Sequence, residues 1–205
     1  MKKPSKKIVV ATANRHKAAE LSALLSLPGL EFVPLSDFPG AGPVEEDGRT
    51  LEENAVKKAR SAAAATGLRA LADDTGLEVE ALGGAPGVYS ARYAGEGCSY
   101  ADNNARLLRA LAGVPAEARR AAFRCVIALC SPDGSTVTAE GRVSGRILEE
   151  PRGADGFGYD PLFLPDGSES SFAELAAEEK NSLSHRYAAV RNMLPHLEKL
   201  ADEQD

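Results

Sequence analysis

A chain of 205 residues, 43% hydrophobic and 26% charged, is long enough to bury a core and too ordinary in composition for a disordered or fibrous protein. Its formal net charge of −6 excludes broad binding to nucleic acid, which needs clustered cations facing phosphates. No apolar run approaches the length that spans a bilayer, and the stretch after the basic residues 2–7 (KKPSKK) is too short for a secretory signal. A cytoplasmic protein without membrane partners is expected, with the basic start as a solvated lead-in.

In chain order, KIVVATA (residues 7–13) reads as a buried strand, and HKAAELSALLSL (16–27) as a helix stopped by Pro28-Gly29. LEFVPL (30–35) is a second short strand, followed by a Pro/Gly-rich loop with a run of acids (36–48). TLEENAVKKARSAAAAT (50–66) reads as a strong helix, with a capping box at Thr50 and Glu53 and a C-terminal cap at Gly67. LRALAD (68–73) and GLEVEAL (76–82) read as strand-like runs on either side of the adjacent acids Asp73 and Asp74. SYADNNARLLRALAG (99–113) reads as a further capped helix. Two long strand-like runs then flank the hairpin signal Asp133-Gly134. A glycine-rich segment (149–170) is too long for a plain connector. Two helices, SFAELAAEEK (171–180) and SLSHRYAAVRNMLPHLEKL (182–200), close the chain, the first with Ser171 and Glu174 as a capping box. The βα units together with a long hairpin point to one mixed α/β domain, residues 1–205, with no separable linker.

Four stretches carry candidate chemistry. TANRHK, Thr12 to Lys17, lies where the first strand becomes the first helix, and a helix N-terminus with a lysine beside it suits an anion such as phosphate. The alternative is an ordinary N-cap at Asn14 and a solvated Lys17. Asp74 and Glu46 stand at the apparent ends of elements, where a hard divalent ion with phosphate ligands would want carboxylates; otherwise they are solvated turn residues. GFGYD, residues 156–160, combines Phe157 with small residues and Asp160, a surface on which a flat base could stack. Lys180, His185 and Arg186 gather donors in one short segment, while His196 reads as surface. GGAPG (83–87) reads as a tight turn, and Cys98, Cys125 and Cys130 form neither a disulfide framework nor a zinc site.

Taken together and in this order, TANRHK, EEDGRTLEENAVKKA, ALADDTGLEVEALGGAPGVYSARYAG, GFGYDPLF and EEKNSLSHR resemble the inosine triphosphate pyrophosphatases, also called dITP/XTP pyrophosphatases. The likeness covers essentially the whole chain. It implies an elongated mixed sheet with flanking helices forming two lobes around a nucleotide cleft, a homodimer, and Mg²⁺-dependent hydrolysis of ITP, dITP and XTP to monophosphate and pyrophosphate. Carried over, Thr12, Ala13, Asn14, Arg15, His16 and Lys17 would hold the triphosphate. Asp74 would be general base and metal carboxylate, with Glu46 the second metal carboxylate, although Glu45 stays open for that place. Thr75 would touch substrate, and Phe157, Gly158, Tyr159, Asp160, Lys180, His185 and Arg186 would surround the base. The chain departs from the family's usual pattern at Thr75 (often Ser), at Ala13 (often Gly) and at Glu46 to Gly48. Two rival readings remain at this level: a purine-triphosphate sensor that does not hydrolyse, and a pyrophosphatase for other nucleotides.

Overall fold

The computed structural model describes residues 5–42 and 44–203; the first part of the basic start and Pro43 of the acidic loop lie outside the described residues. Strand β1 (Lys6–Val10) leads into helix α1 (Arg15–Leu24) and returns as β2 (Leu30–Pro34), which pairs with β1 in parallel. Helix α2 (Leu51–Thr66) then delivers β3 (Arg69–Val79) parallel to the other side of β1. Parallel neighbours need such crossover helices, which is why the first half of the chain alternates strand and helix. The short β4 (Pro86–Gly87) pairs with β3 antiparallel, and α3 (Tyr100–Ala110) follows. Long strands β5 (Arg120–Cys130) and β6 (Thr136–Ile147) turn at Asp133-Gly134, and β7 (Phe163–Pro165) adds antiparallel to β6. Helices α4 (Ala177–Leu183) and α5 (His185–Asp202) end the chain. The sheet order is β2-β1-β3-β5-β6-β7, a mixed α/β architecture.

The expected caps of α2 are present: Thr50 Oγ1 accepts from the Glu53 N–H at 3.1 Å, and Gly67 is left-handed at φ 69°. Glu53 reaches one residue further back than a capping box would, to the Arg49 N–H. Several expectations need correction. Short β4 falls within the GGAPG segment read as a tight turn, and β7 falls within residues 149–170, read as a glycine-rich segment. Residues 68–73 and 76–82 are not separate runs, because β3 passes unbroken through Asp73 and Asp74. Residues 172–176 form a turn rather than a helix: Glu174 accepts from the Ser171 N–H, but the Ser171 hydroxyl donates to the Arg152 carbonyl and so caps nothing. The final helical stretch breaks at Ser184, inside the segment expected to be continuous.

The chain divides into two compact units. The first comprises Met1–Asp74, Cys125–Gly141 and Arg186–Asp205. Its core is aliphatic, with Ile8, Leu21, Leu71 and Ile127 against Ala189, Val190, Met193 and Leu197 of α5. The second comprises Thr75–Arg124 and Arg142–His185. Its core holds Leu77, Leu107 and Ile147 with a cluster of rings: Phe123 lies 4.7 Å from Phe163 and Phe163 lies 5.1 Å from Phe172. Cys125 and Cys130 are buried and Cys98 partly buried, none of them in a disulfide. Among the described residues no helix is long and apolar enough to cross a membrane.

Candidate active site

The adjacent acids are interior residues of β3, only 1% (Asp73) and 5% (Asp74) exposed, and not residues at the end of an element. Successive side chains of a strand point to opposite faces, so the two carboxylates do not share surroundings. Asp73 meets Lys17 of α1 at 3.3 Å, and Nε and Nη2 of Arg186, at the start of α5, at 3.3 and 3.2 Å. Arg186 also pairs through Nη1 with Glu20 of α1. Asp74 meets α2 instead: Asn54 Nδ2 donates to it at 3.2 Å and Lys58 Nζ at 3.1 Å.

Those surroundings drive the two acids apart. Burial pushes both carboxyls up, because it disfavours charge. At Asp73, Lys17, Arg186 and Lys58 together outweigh burial and hold the carboxyl well below the usual range. At Asp74 burial prevails over Lys58 and Lys17, with Glu46 adding repulsion, so its affinity for a proton is raised. Asp73 is thus favoured in its charged form, and Asp74 holds a proton more readily than an ordinary aspartate. Two carboxyls pushed in opposite directions is the pattern that separates acid–base from structural roles.

Lys58 is also the link to Glu46. Its ammonium lies 2.9 Å from Glu46 Oε1 and 3.1 Å from Asp74 Oδ1. Burial lowers its proton affinity, but Asp74, Asp73 and Glu46 more than compensate, so it stays charged. Asn54 ties the same loop to the strand, accepting from the Gly48 N–H at 2.8 Å through Oδ1 while Nδ2 holds Asp74. A Cβ at residue 48 would lie 2.5 Å from Asn54 Oδ1, so this approach requires glycine. A pocket of about 240 Å³ opens here, with Thr12, Ala13, Glu46 and Lys58 in its wall. Glu45 is exposed.

Glu46 and Asp74 both meet the Lys58 ammonium, and as hard carboxylate donors they are of the type Mg²⁺ takes, one or two carboxylates with the rest of its shell water and phosphate oxygens. Among the described residues no cluster of three or more His, Cys, Asp or Glu side chains stands ready to hold a metal. At the start of α1, Asn14 is the N-cap, accepting from the His16 and Lys17 N–H groups at 3.0 and 3.2 Å, while Thr12 Oγ1 accepts from the Asn14 N–H. Arg15 and His16 are exposed.

The remaining predicted residues belong to the second unit. Asp160 Oδ2 accepts from the Phe157 N–H at 2.8 Å and from Lys180 Nζ at 2.6 Å, with Asp160 and Lys180 both buried. The Lys180 ammonium also sits 4.8 Å from the Phe157 ring centroid. Gly156 makes this turn possible, since at φ 73° a Cβ would meet Asp160 Oδ2 at 2.3 Å. The Tyr159 hydroxyl donates to the Ser90 carbonyl at 2.9 Å, a structural tie in a buried setting. His185 stacks on Phe123 at 4.7 Å, and Thr75 is half-buried. The Lys180/His185/Arg186 group is therefore divided in its contacts: Lys180 joins Asp160, His185 joins Phe123, and Arg186 joins Asp73.

Sequence reading passed over Asn54, Lys58 and Glu20, yet a signal existed. In α2 the buried positions Leu51, Asn54, Ala55, Ala59 and Ala62 form one helical stripe, and Lys58 lies on it. A polar residue on an apolar stripe has to meet a partner inside. Arg186 stands in the same relation to Ala189, Val190 and Met193, and Lys17 to Leu21.

Comparison with known proteins shows the family. The sequence profile of the Ham1 family matches residues 8–196. The dITP/XTP pyrophosphatase of Geobacter sulfurreducens is 55% identical over 93% of this chain and 96% of its own length. That of Desulforamulus reducens is 52% identical over 97% and 99%. Among solved structures, a HAM1 protein from Coxiella burnetii superposes with a TM-score of 0.87 at 42% identity, covering 95% of this chain and 99% of that one. The whole length of the chain, from β1 to α5, belongs to the Ham1 family.

Proposed function

We propose that this chain hydrolyses the non-standard purine nucleoside triphosphates dITP, XTP and ITP to the nucleoside monophosphate and pyrophosphate, clearing deaminated purines from the nucleotide pool. The observation that carries the reading is the pair of adjacent buried acids with opposed surroundings, set in a chain more than half identical to proteins named for this reaction. A sensor that binds without hydrolysing has no use for a buried carboxyl of raised basicity beside a second acid and a lysine.

Asp74 and Glu46 would hold Mg²⁺, which when bound neutralises phosphate charge and polarises the phosphoryl group. Asp74 accepts the proton of the attacking water, and Asn54 keeps its carboxyl oriented while it does so. Lys17 and Lys58 place positive charge where the pyrophosphate leaving group becomes more negative, and Thr12 offers a hydroxyl from the pocket wall. Asp73 keeps Lys17 and Arg186 in place. Phe157 presents a ring for the base, with Lys180 and Asp160 fixing its turn. Hypoxanthine and xanthine carry an oxygen at position six that accepts from such donors. Adenine carries an amino group there and would leave each buried donor unmatched, at about 1–3 kcal/mol apiece. The protein works as a cytoplasmic homodimer in this reading, and light scattering that gave a monomer would remove that part.

The test is pyrophosphate release from ITP, dITP, XTP, GTP and ATP, each with and without Mg²⁺. Mg²⁺-dependent release from the first three, with little from GTP or ATP, is expected. Tight binding without release would make the protein a sensor, and metal-independent release would remove Mg²⁺ from the mechanism.

A further inference from the structure

Tyr100 and Asn104 lie one turn apart on α3, so their side chains share a face. That face meets two consecutive residues of the 156–160 turn. The Tyr100 ring lies 6.0 Å from the Phe157 ring, tilted by 46°, and Asn104 Nδ2 donates to the Gly158 carbonyl at 3.0 Å. The other end of the amide, Asn104 Oδ1, is buried with no hydrogen-bond partner among the described residues. An unmatched buried acceptor is unfavourable, so what the Asn104 amide contributes is its bond to Gly158.

The turn's other anchors hold different atoms. Asp160 and Lys180 fix the Phe157 N–H from one side, and the Tyr159 hydroxyl is tied to Ser90. None of them holds the Gly158 carbonyl. On the side where a Cβ would stand, Gly158 at φ 64° faces open space, with no atom within 4 Å. Gly158 lies directly after the aromatic ring in a left-handed conformation, and the Asn104 amide holds its carbonyl. Because a peptide is planar, fixing that carbonyl also fixes the direction of the next N–H.

We infer that the Tyr100–Asn104 face of α3 is a positioning device for purine recognition, setting the tilt of Phe157 and the direction of the Gly158 peptide and hence substrate affinity. The inference rests on the assignment of Phe157 as the surface on which the base stacks. Neither residue touches the carboxylates or lysines around Asp74, so the device acts on KM and leaves kcat alone.

Steady-state kinetics on ITP and XTP, with Tm for every variant, test it through Asn104→Leu, Tyr100→Ala, Tyr100→Phe and Phe157→Ala. Asn104→Leu and Tyr100→Ala should each raise KM by about fivefold, the size of one lost hydrogen bond or ring contact, with kcat within about twofold. Tm should hold in Asn104→Leu, since the change also removes the unmatched acceptor, and Tyr100→Phe should keep the unaltered KM. If Phe157→Ala raises KM while the two α3 variants do not, the positioning role is overturned and the stacking surface survives. If Phe157→Ala itself leaves KM unchanged, the stacking assignment falls and takes the inference with it. A KM rise that comes only with a large loss of Tm in both α3 variants, or a fall in kcat at constant KM, also overturns it.

Discussion

The first unit buries charge inside an aliphatic core, and the second buries rings. In the first, Asp73 is surrounded by Lys17 and Arg186 from α1 and α5, and Asp74 by Asn54 and Lys58 from α2. In the second, Phe123 contacts Phe163, Phe172 and His185 within 6.0 Å, and the deeply buried ion pair is Asp160 with Lys180. The contrast is one of chemistry, charge in the first unit and rings in the second. Charges fixed in a low-dielectric setting act on phosphate groups without having to reorganise. Rings offer a flat face whose selectivity comes from shape and a few donors. In the proposed reading the first surface depends on proton and metal occupancy, and the second on geometry.

The largest expected effect would break the first half of that contrast. Asp74→Asn keeps the side chain's shape and should lower kcat by about 10²–10⁴-fold with the fold intact. Near-normal turnover in a folded Asp74→Asn protein would remove the base. Asp73→Ala should do the opposite, acting on stability first. It leaves Arg186 and Lys17 without their shared carboxylate, and urea denaturation should show a loss of about 3–5 kcal/mol.

The same residue carries a pH signature. Its folded-state carboxyl is held below the unfolded value, so the stability it contributes is present above the ordinary aspartate pKa of about 3.9 and is lost as pH falls toward the folded value. The urea midpoint of the unaltered protein should therefore drop more steeply below about pH 4 than that of Asp73→Asn. Parallel curves would show that Asp73 is not the coupled group.

A smaller effect sharpens the second half. Phe123→Leu removes three ring contacts and should cost about 2 kcal/mol, more than the roughly 0.5–1.5 expected for Ile127→Val in the aliphatic core. Equal losses would mean that the rings act only as bulk. The finest test separates the neighbouring acids of the loop. Glu46→Gln should raise the Mg²⁺ concentration giving half-maximal rate by at least about tenfold, a loss seen even for groups one shell further out, whereas exposed Glu45→Gln should leave it unchanged. A reversed result would hand the metal to Glu45.

Punctuation residues made much of the fold legible. Thr50 and Gly67 bracket α2, Ser99 caps α3, and Asp133-Gly134 turns β5 into β6, because each acts on backbone groups a few residues away. Ser171 and Glu174 show where that logic fails. The same local pattern forms a turn once Arg152, nineteen residues back, offers its carbonyl to the Ser171 hydroxyl.

The sequence by itself determined the main alternation of strands and helices, the apolar stripes, and which few positions on those stripes are polar. Only the tertiary structure decided what the polar positions do. Two aspartates side by side disfavour a strand locally, yet β3 runs through both because helices remote in the chain bring the cations that accept them. Which acid is held charged and which binds a proton more readily follows from the face of β3 each side chain takes. The cations that meet it there lie as far away in the chain as Arg186.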